Sequence, residues 1–386
     1  MDFAEPSEHQ MLREAVRDVG SKFGHEYFAT QARTGGRTDE LWNAIGELGF
    51  LGVHLPEEYG GGGGGMSELV IVCEELASLG TPLLLILVSP AICGELIKHF
   101  GTDGQKDRWL RTMATGTKMV FAITEPDAGS NSHNIATTAT RDGDVYRLNG
   151  SKTYISGVDE ADTMVVVTRT GTHPDTGRAR LSLFVVDTDA PGLERTVIPM
   201  EISAPEKQYT LFFDDVEVPA DRLLGDEGEG LRQVFVGLNP ERIMSAAICT
   251  GIGRYALDRA AAYANDREVW GTPIGRHQGI AHPLAMAKVE LELARLMMAK
   301  AAWMHDHSSD RVAAGEAANM AKYAAAEAEM QALDAAIQTH GGNGLASEYG
   351  LADLWGMVRL LRIAPVSREM VLNFVAQQSL GLPKSY

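Results

Sequence analysis

The sequence is poor in cysteine, in basic charge and in long apolar runs. Cys73, Cys93 and Cys249 are the only cysteines in 386 residues. They are too few and too widely spaced for a disulfide framework or a zinc site, and they fit a reducing cytosol. Lysine and arginine number 34 against 52 acidic residues, a net charge of −18. A dedicated nucleic-acid binder needs basic surface to neutralise phosphates, so no nucleic-acid partner is expected. The longest strongly aliphatic run, at 83–88, is far short of the ~20 residues that a bilayer crossing needs, so no transmembrane segment is expected. The opening MDFAEPSEHQ has neither a basic start nor an apolar core. No secretion signal is therefore expected, and a cytoplasmic location is. There is no GxSxG elbow, which argues against an α/β-hydrolase. His305 and His307 stand in a polar stretch with no carboxylate or cysteine cluster around them. They read as solvated side chains, and no metal site is expected.

What is present is an ordinary globular composition, 45% hydrophobic and 22% charged, with a length suited to two or three domains. Residues 1–117 read mostly as helices. A stripe at Met11, Ala15, Val19 and Phe23 predicts a helix over 8–23. Further helices are predicted over 41–48 and over 67–79, with Ser67 as N-cap. Six consecutive glycines at 60–65 separate these last two. The run lacks the Lys-Ser/Thr ending of a P-loop and reads as a flexible surface loop.

From about Lys118 the texture changes. Short β-branched and aromatic runs at 120–124, 145–149, 153–156, 164–168, 181–186 and 210–213 predict strands, with a hairpin turn at 141–144. This stretch, 118–229, reads as an antiparallel, barrel-like β-domain. Helices return over 230–386. The segment 284–301 carries apolar residues at 284, 287, 291, 294, 298 and 301, with a second set at Val289, Leu293, Leu296 and Met297. A helix apolar nearly all round is expected to be buried, in a bundle or against another subunit. An alanine-rich helix over 312–337 should stop at Gly341-Gly342. Gly251-Ile252-Gly253-Arg254-Tyr255-Ala256 matches a dinucleotide fingerprint in form. It lies within a helical pattern, so it reads as close helix packing through small residues. Helices, then strands, then helices predict an α+β protein and not a parallel α/β sheet.

Four segments hold polar and glycine residues at positions that core packing does not explain: FAITEPDAGS at 121–130, NGSKTYIS at 149–156, REVWGTPIGRHQ at 267–278 and QTHGGNG at 338–344. In this order and spacing they closely resemble the acyl-CoA dehydrogenase family, over nearly the whole chain. The resemblance implies an all-α N-terminal domain, a middle β-domain and a C-terminal four-helix bundle, with FAD between the last two. It implies a homotetramer in which a neighbouring subunit completes each FAD site.

The resemblance also assigns roles. Phe121, Ile123 and Thr124 match strand residues beside the flavin ring. Gly129 and Ser130 match a loop near the flavin pyrophosphate and the thioester arm of the substrate. Tyr154 stands where a stacked tryptophan is usual, Ile155 follows it, and Ser156 replaces a threonine that reaches flavin N5. Arg267, Trp270 and Gln278 match cofactor contacts, Arg267 pairing with the pyrophosphate of the other subunit's FAD. Gln338, Gly341 and Gly342 match the cradle of the adenosine diphosphate half. Ser367 and Glu369 stand where threonine and glutamine usually approach the adenine. Leu238 and Arg242 match substrate contacts, Arg242 near the pantetheine-nucleotide arm.

The implied reaction is α,β-dehydrogenation of an acyl-CoA thioester to the trans-2-enoyl-CoA. A carboxylate takes the α-proton, hydride passes to flavin N5, and the electrons go on to an electron-transferring flavoprotein. The usual place of the base, some two dozen residues after GGNG, is here Pro365. The isovaleryl-CoA and long-chain branches of the family place it on an earlier helix, and the matching residue is Glu241. Asn239 suits the N-cap of that helix and Pro240 its first position, which would set Glu241 in the first turn, where the helix dipole lowers its pKa. A flavin monooxygenase or oxidase, or a non-catalytic flavoprotein, on the same fold stays open as an alternative.

Overall fold

The structure, a computed structural model, describes residues 4–175 and 177–384. The N-terminal helices are α1 Ser7–Gly20, α2 Gly24–Thr34, α3 Asp39–Glu47 and α4 Met66–Ser78. A short α5, Leu84–Ile86, runs through a wide π turn at Leu87–Gly94 into α6, Glu95–Phe100, and α7 follows at Asp103–Ala114. The middle region holds β1 Met119–Ala122, β2 Thr138–Asp142, β3 Val145–Ser156, β4 Thr163–Thr172, β5 Ala179–Asp187, β6 Leu193–Ile198, β7 Gln208–Pro219 and β8 Leu223–Leu224. The C-terminal region is α8 Gly230–Asp266, a β9 Glu268–Val269 and β10 Thr272–Pro273 hairpin, α9 Gln278–His307, α10 Arg311–His340, α11 Trp355–Ile363 and α12 Arg368–Gln378. This is the mixed α+β arrangement, helical at both ends with a sheet between.

The sheet is not purely antiparallel, as the sequence suggested. Its order is β6-β7-β3-β2-β4-β5-β8, and β1 and β2 both pair with β4 in parallel. The two runs expected at 145–149 and 153–156 are one strand, β3, which continues through register shifts against β7. Gly150, at φ 141°, sits at one of these irregularities, where a Cβ would lie 2.7 Å from Thr137.

The glycine run is not a loose loop. The amides of Gly61, Gly62, Gly63 and Gly64 donate to the carbonyls of Pro56, Gly52, Leu55 and Val53. A Cβ on Gly61 would lie 2.2 Å from the Leu55 carbonyl oxygen, and one on Gly64 2.9 Å from that of Val53. The run therefore lays bare backbone on the 52–56 segment, an approach that side chains would prevent. It ends at Gly65, which is the N-cap of α4 in place of Ser67 and donates to Glu68. Ser67 lies inside the helix, and its hydroxyl meets Asp306 at the end of α9.

His305 is not solvated either. Its Nε2 lies 3.7 Å from the buried Glu95 carboxylate, which also pairs with the Lys98 ammonium and lies beside the buried His54 ring. His307 does lie at the surface, stacked on Trp303. On α9 the residues Ala287, Leu291, Ala294, Met298 and Ala301 are buried. Met286, Val289, Leu293, Leu296 and Trp303 are more than half exposed. The second apolar face is thus uncovered within a single chain. Gly251 and Gly253 do serve close packing: a Cβ on the first would lie 2.4 Å from Ala77 of α4, and one on the second 2.7 Å from Leu291 of α9.

The helical regions are locked together by Glu74 and Glu75, both fully buried on α4. Glu74 accepts from Arg13 of α1 at 2.8 Å and from Arg295 of α9 at 2.7 Å. Glu75 accepts from Arg17 of α1 at 3.0 Å and Arg254 of α8 at 2.7 Å. Burial opposes charge on Glu74, but the Arg295 hydrogen bond and the charges of Arg254 and Arg13 outweigh it and hold the carboxyl down to about 2. A carboxyl held low stabilises the fold above its ordinary value of 4.5, and that contribution fades as pH falls toward 2. Glu74→Gln removes the buried carboxylate on which the half-buried Arg13, Arg254 and Arg295 converge, and should cost about 1.5–3 kcal/mol. In chemical denaturation at neutral pH the midpoint should fall by that equivalent, and the gap from the parent should narrow at acid pH. Equal midpoints at pH 7 would contradict the network's role.

Candidate active site

Strand β1 leads Phe121 into the site, and Ile123 and Thr124 follow in extended chain. The turn after them is tight, with Glu125 and Ala128 exchanging both backbone hydrogen bonds. Gly129 and Ser130 stand exposed beyond it, and a Cβ on Gly129 would meet nothing within 4 Å.

An ion pair that sequence reasoning missed holds this loop. Glu125 accepts from the Ala136 amide at 2.7 Å, from the Thr137 amide at 3.0 Å and from Lys152 Nζ at 2.8 Å. Lys152 is fully buried and also donates to the Ile123 carbonyl. Burial pushes the lysine down to about 8 against the pull of Glu125. Burial likewise opposes the Glu125 charge, but Lys152 and the two amides hold the carboxyl below its ordinary value. Charge on both Glu125 and Lys152 was visible in the two motifs, and their pairing across 27 positions was not.

Two residues after Lys152, Tyr154 adopts φ 56°, a strained conformation for a residue with a Cβ, and is 59% exposed. Ile155 turns inward and is buried, and the Ser156 hydroxyl meets the Gln208 amide at 3.0 Å. Gln208 is a second residue that the motifs did not reveal.

Helix α8 holds Leu238, Glu241 and Arg242. It begins at Gly230 and runs through Pro240, so Asn239 is not its N-cap and Glu241 is not in its first turn. Glu241 lies about three turns inside, beyond the reach of the N-terminal dipole. The objection that the dipole would lower its pKa is thereby removed. Burial pushes its carboxyl up to about 8, against the smaller pull of Arg242 and Lys322, although part of the residue still faces solvent. Arg242 is buried, and its guanidinium donates to the Leu238 carbonyl and to Asn239, with Nε unpartnered. Pro365 lies between α11 and α12, in the connection whose Val366 carbonyl accepts from Lys322 of α10. Since Lys322 also acts electrostatically on Glu241, both places that could hold a base come together around it.

Most of the remaining residues gather at the far end of the bundle, while Ser367 and Glu369 follow the 362–366 connection that Lys322 holds. From Glu241 to Arg267, α8 rises about 39 Å at ~1.5 Å per residue. Arg267 is exposed just past the helix end, and Trp270, at φ 53° and 88% exposed, heads the β9–β10 turn. Gln278 opens α9 on the surface. Tyr263 of α8 stacks on His340 of α10, and Asn343 donates to both Tyr263 and Tyr349. This aromatic cluster brings the 341–345 turn beside Arg267. Gln338, Gly341 and Gly342 are exposed there, and a Cβ on either glycine would meet nothing. Ser367 is the N-cap of α12, its hydroxyl accepting from the Met370 amide, while Glu369 is exposed.

These features fit a dinucleotide-sized flavin cofactor. Strained aromatics face outward, two glycines leave room for close backbone approach, and an exposed guanidinium suits a pyrophosphate. Among the described residues no cluster of His, Cys, Asp or Glu could hold a metal ion, and no helix is long and apolar enough to cross a membrane.

Comparison with known proteins agrees with this architecture. Residues 6–117 match the acyl-CoA dehydrogenase N-terminal domain, 120–216 the middle domain and 228–380 the C-terminal domain. The chain therefore belongs to the acyl-CoA dehydrogenase family, enzymes that dehydrogenate acyl-CoA thioesters with FAD. It is 58% identical to acyl-CoA dehydrogenase FadE12 of Mycobacterium tuberculosis, over 100% of this chain and 99% of the relative. It superposes on glutaryl-coenzyme A dehydrogenase in its glutaryl-CoA complex with a TM-score of 0.94 at 33% identity, over 100% of this chain and 98% of the other. Butyryl-CoA dehydrogenase from Megasphaera elsdenii gives a TM-score of 0.93 at 29% identity, over 98% and 100%.

Lys152→Met should leave Glu125 buried and unpaired, a loss of about 3–5 kcal/mol. Thermal melts should show a lower midpoint, and the purified protein should retain less FAD. A variant with unchanged melting and full yellow colour would contradict the bracing role.

Proposed function

We propose that the enzyme forms the trans-2-enoyl-CoA from a saturated acyl-CoA, with Glu241 as the base that takes the pro-R α-proton. The observation that carries this reading is a glutamate inside α8 whose burial holds its carboxyl near pH 8, while proline stands at the family's usual position. A carboxylate in water is too weak a base for an α-proton. Desolvation brings its pKa toward the working pH, where proton transfer is most effective.

Leu238 and Glu241 stand on one side of α8 roughly a turn apart, so the acyl group lies along this helix with its α-carbon at the carboxylate. Arg242 and Ser130 hold the thioester arm, and Tyr154 and Ser156 present the β-domain's face to the flavin ring. Bound FAD supplies the two-electron acceptor that takes the β-hydrogen as hydride at N5. The electrons then leave to an electron-transferring flavoprotein.

The far-end set of Arg267, Trp270, Gln278, Gln338, Gly341 and Gly342 is too distant from Glu241 to serve the same cofactor within one chain. It completes the FAD site of a neighbouring subunit, with Ser367 and Glu369 toward the adenine. The exposed apolar stripe of α9 suits the contact between subunits in a homotetramer. The middle region, 118–229, and the bundle, 230–386, would then enclose each cofactor between them, with 1–117 covering the acyl side.

Glu241→Gln should keep FAD and bind acyl-CoA yet slow anaerobic flavin bleaching by ~10²–10⁴-fold. Bleaching close to the parent rate would place the base elsewhere. In the parent enzyme the bleaching rate should rise with pH through about 8, because only the deprotonated carboxylate accepts the proton. Arg267→Ala should lower FAD occupancy by removing a charged contact. Sedimentation showing a monomer that keeps all its FAD would refute the shared site.

A further inference from the structure

A cavity of about 180 Å³ lies where the connection between β6 and β7 meets α2, α5 and α11. Apolar Leu84, Ile198, Ile202 and Leu360 stand in its wall, together with Glu206, Lys207 and Gln208. At ~30 Å³ for each water-sized group it has room for about six of them. Leu84 opens α5, which runs on into the π turn. Gln208 pairs across the sheet with Ser156, whose hydroxyl meets both ends of its amide at 3.0 and 2.9 Å. Leu360 is on α11, the helix that leads to Pro365. The strand that carries Ser156, the π turn and the approach to Pro365 therefore share one cavity.

Glu206 is 4% exposed. Its Oε1 accepts from the Leu84 amide at 2.8 Å. Its Oε2 is buried and has no partner among the described residues. Lys207 turns instead to Asp159, at 3.4 Å, and the Gln208 amide is taken by Ser156. Burial, aided by the charge of Glu160, pushes the Glu206 carboxyl up to about 7 against the pull of the Leu84 amide and of Lys118. A glutamine would satisfy the Leu84 amide without a second acidic oxygen. A buried oxygen kept unpaired beside a cavity marks a place where something else supplies the partner.

In the proposed reaction the α-carbon lies at Glu241 and the β-carbon at flavin N5, which Ser156 approaches. The rest of the acyl chain continues past Ser156, and Gln208, Leu84 and the cavity come next. We propose that the cavity receives the far end of the acyl chain and that Glu206 selects substrates with a hydroxyl on that end. This rests on the dehydrogenase reading with Ser156 at the flavin. A hydroxyl donates to an ionised carboxylate and accepts from a protonated one, so it pairs with Oε2 in either state. A methyl end displaces water from Oε2 and returns no hydrogen bond. A carboxylate end meets a like charge, and an ammonium end carries a further charge into a mostly apolar space.

The test is a panel of straight-chain acyl-CoAs from butanoyl- to octanoyl-CoA, each beside its counterpart hydroxylated on the last carbon. The FAD-loaded enzyme is assayed for kcat/KM with an artificial electron-acceptor dye. At the best chain length the hydroxylated form should be preferred by about tenfold or more. Glu206→Gln keeps an oxygen for the Leu84 amide and offers the hydroxyl a donor, so it should keep the preference. Glu206→Leu has no polar atom and should favour the plain chain. A parent enzyme that uses plain chains as well as hydroxylated ones at every length overturns the proposal, and this result needs no variant to fold. An undiminished hydroxyl preference in Glu206→Leu also overturns it, because the selection then lies elsewhere. Plain chains that reduce the flavin without any hydroxyl advantage overturn the role of Glu206 alone. No reduction by any member of the panel overturns the dehydrogenase reading together with the proposal.

Discussion

The buried carboxylates Glu74 and Glu75 fix the course of α8, and α8 fixes the site. Through Arg254 they tie it to α4, while Arg295 and Arg13 bring α9 and α1 to the same point. Gly251 and Gly253 then let α4 and α9 approach α8 to a distance that no larger residue allows. Along one continuous helix this places Leu238, Glu241 and Arg242 toward the π turn, and Tyr263 and Arg267 at the aromatic cluster beneath the 341–345 turn. The separation of the two ends is a matter of helix rise.

Glu74 and Glu241 show how one residue type is used in two opposite ways. Both are withdrawn from water, and burial alone would raise both. Around Glu74 three guanidinium groups outweigh that, and the carboxyl stays charged to about pH 2. Around Glu241 the cations are fewer and weaker in effect, burial wins, and the carboxyl titrates near pH 8. The first serves stability because it is fully paired. The second is free to take a proton because it is not.

Much of this was legible in the sequence, and the failures have physical causes. The long helices, five of the strands and the 141–144 hairpin follow from apolar spacing and turn chemistry. Strands β2 and β6 did not show, because most of their residues face solvent and carry no apolar alternation. The glycine run looked loose because local propensity cannot register that another segment needs bare backbone to lie on. Asn239-Pro240 carries the chemistry of a helix start, yet α8 passes through it: Gly230, Gln233, Val234 and Gly237 on its N-terminal side are buried by packing that no local signal reports. His305 looked solvated because its partner, Glu95, is 210 residues away in sequence. The Glu125–Lys152 pair escaped notice for the same reason. Motif resemblance singled out the exposed glycines and strained aromatics of the candidate site, and the charges that hold their segments in place appeared only in the fold.

The central claim is that Glu241 stands over the carbon that loses its proton. A crystal structure of the enzyme with FAD and a non-reactive acyl-CoA analogue tests it most directly. The account predicts a Glu241 carboxylate oxygen about 3–3.5 Å from the substrate α-carbon, on the side opposite the flavin ring. An α-carbon out of reach of Glu241, with another carboxylate against it, would contradict the account.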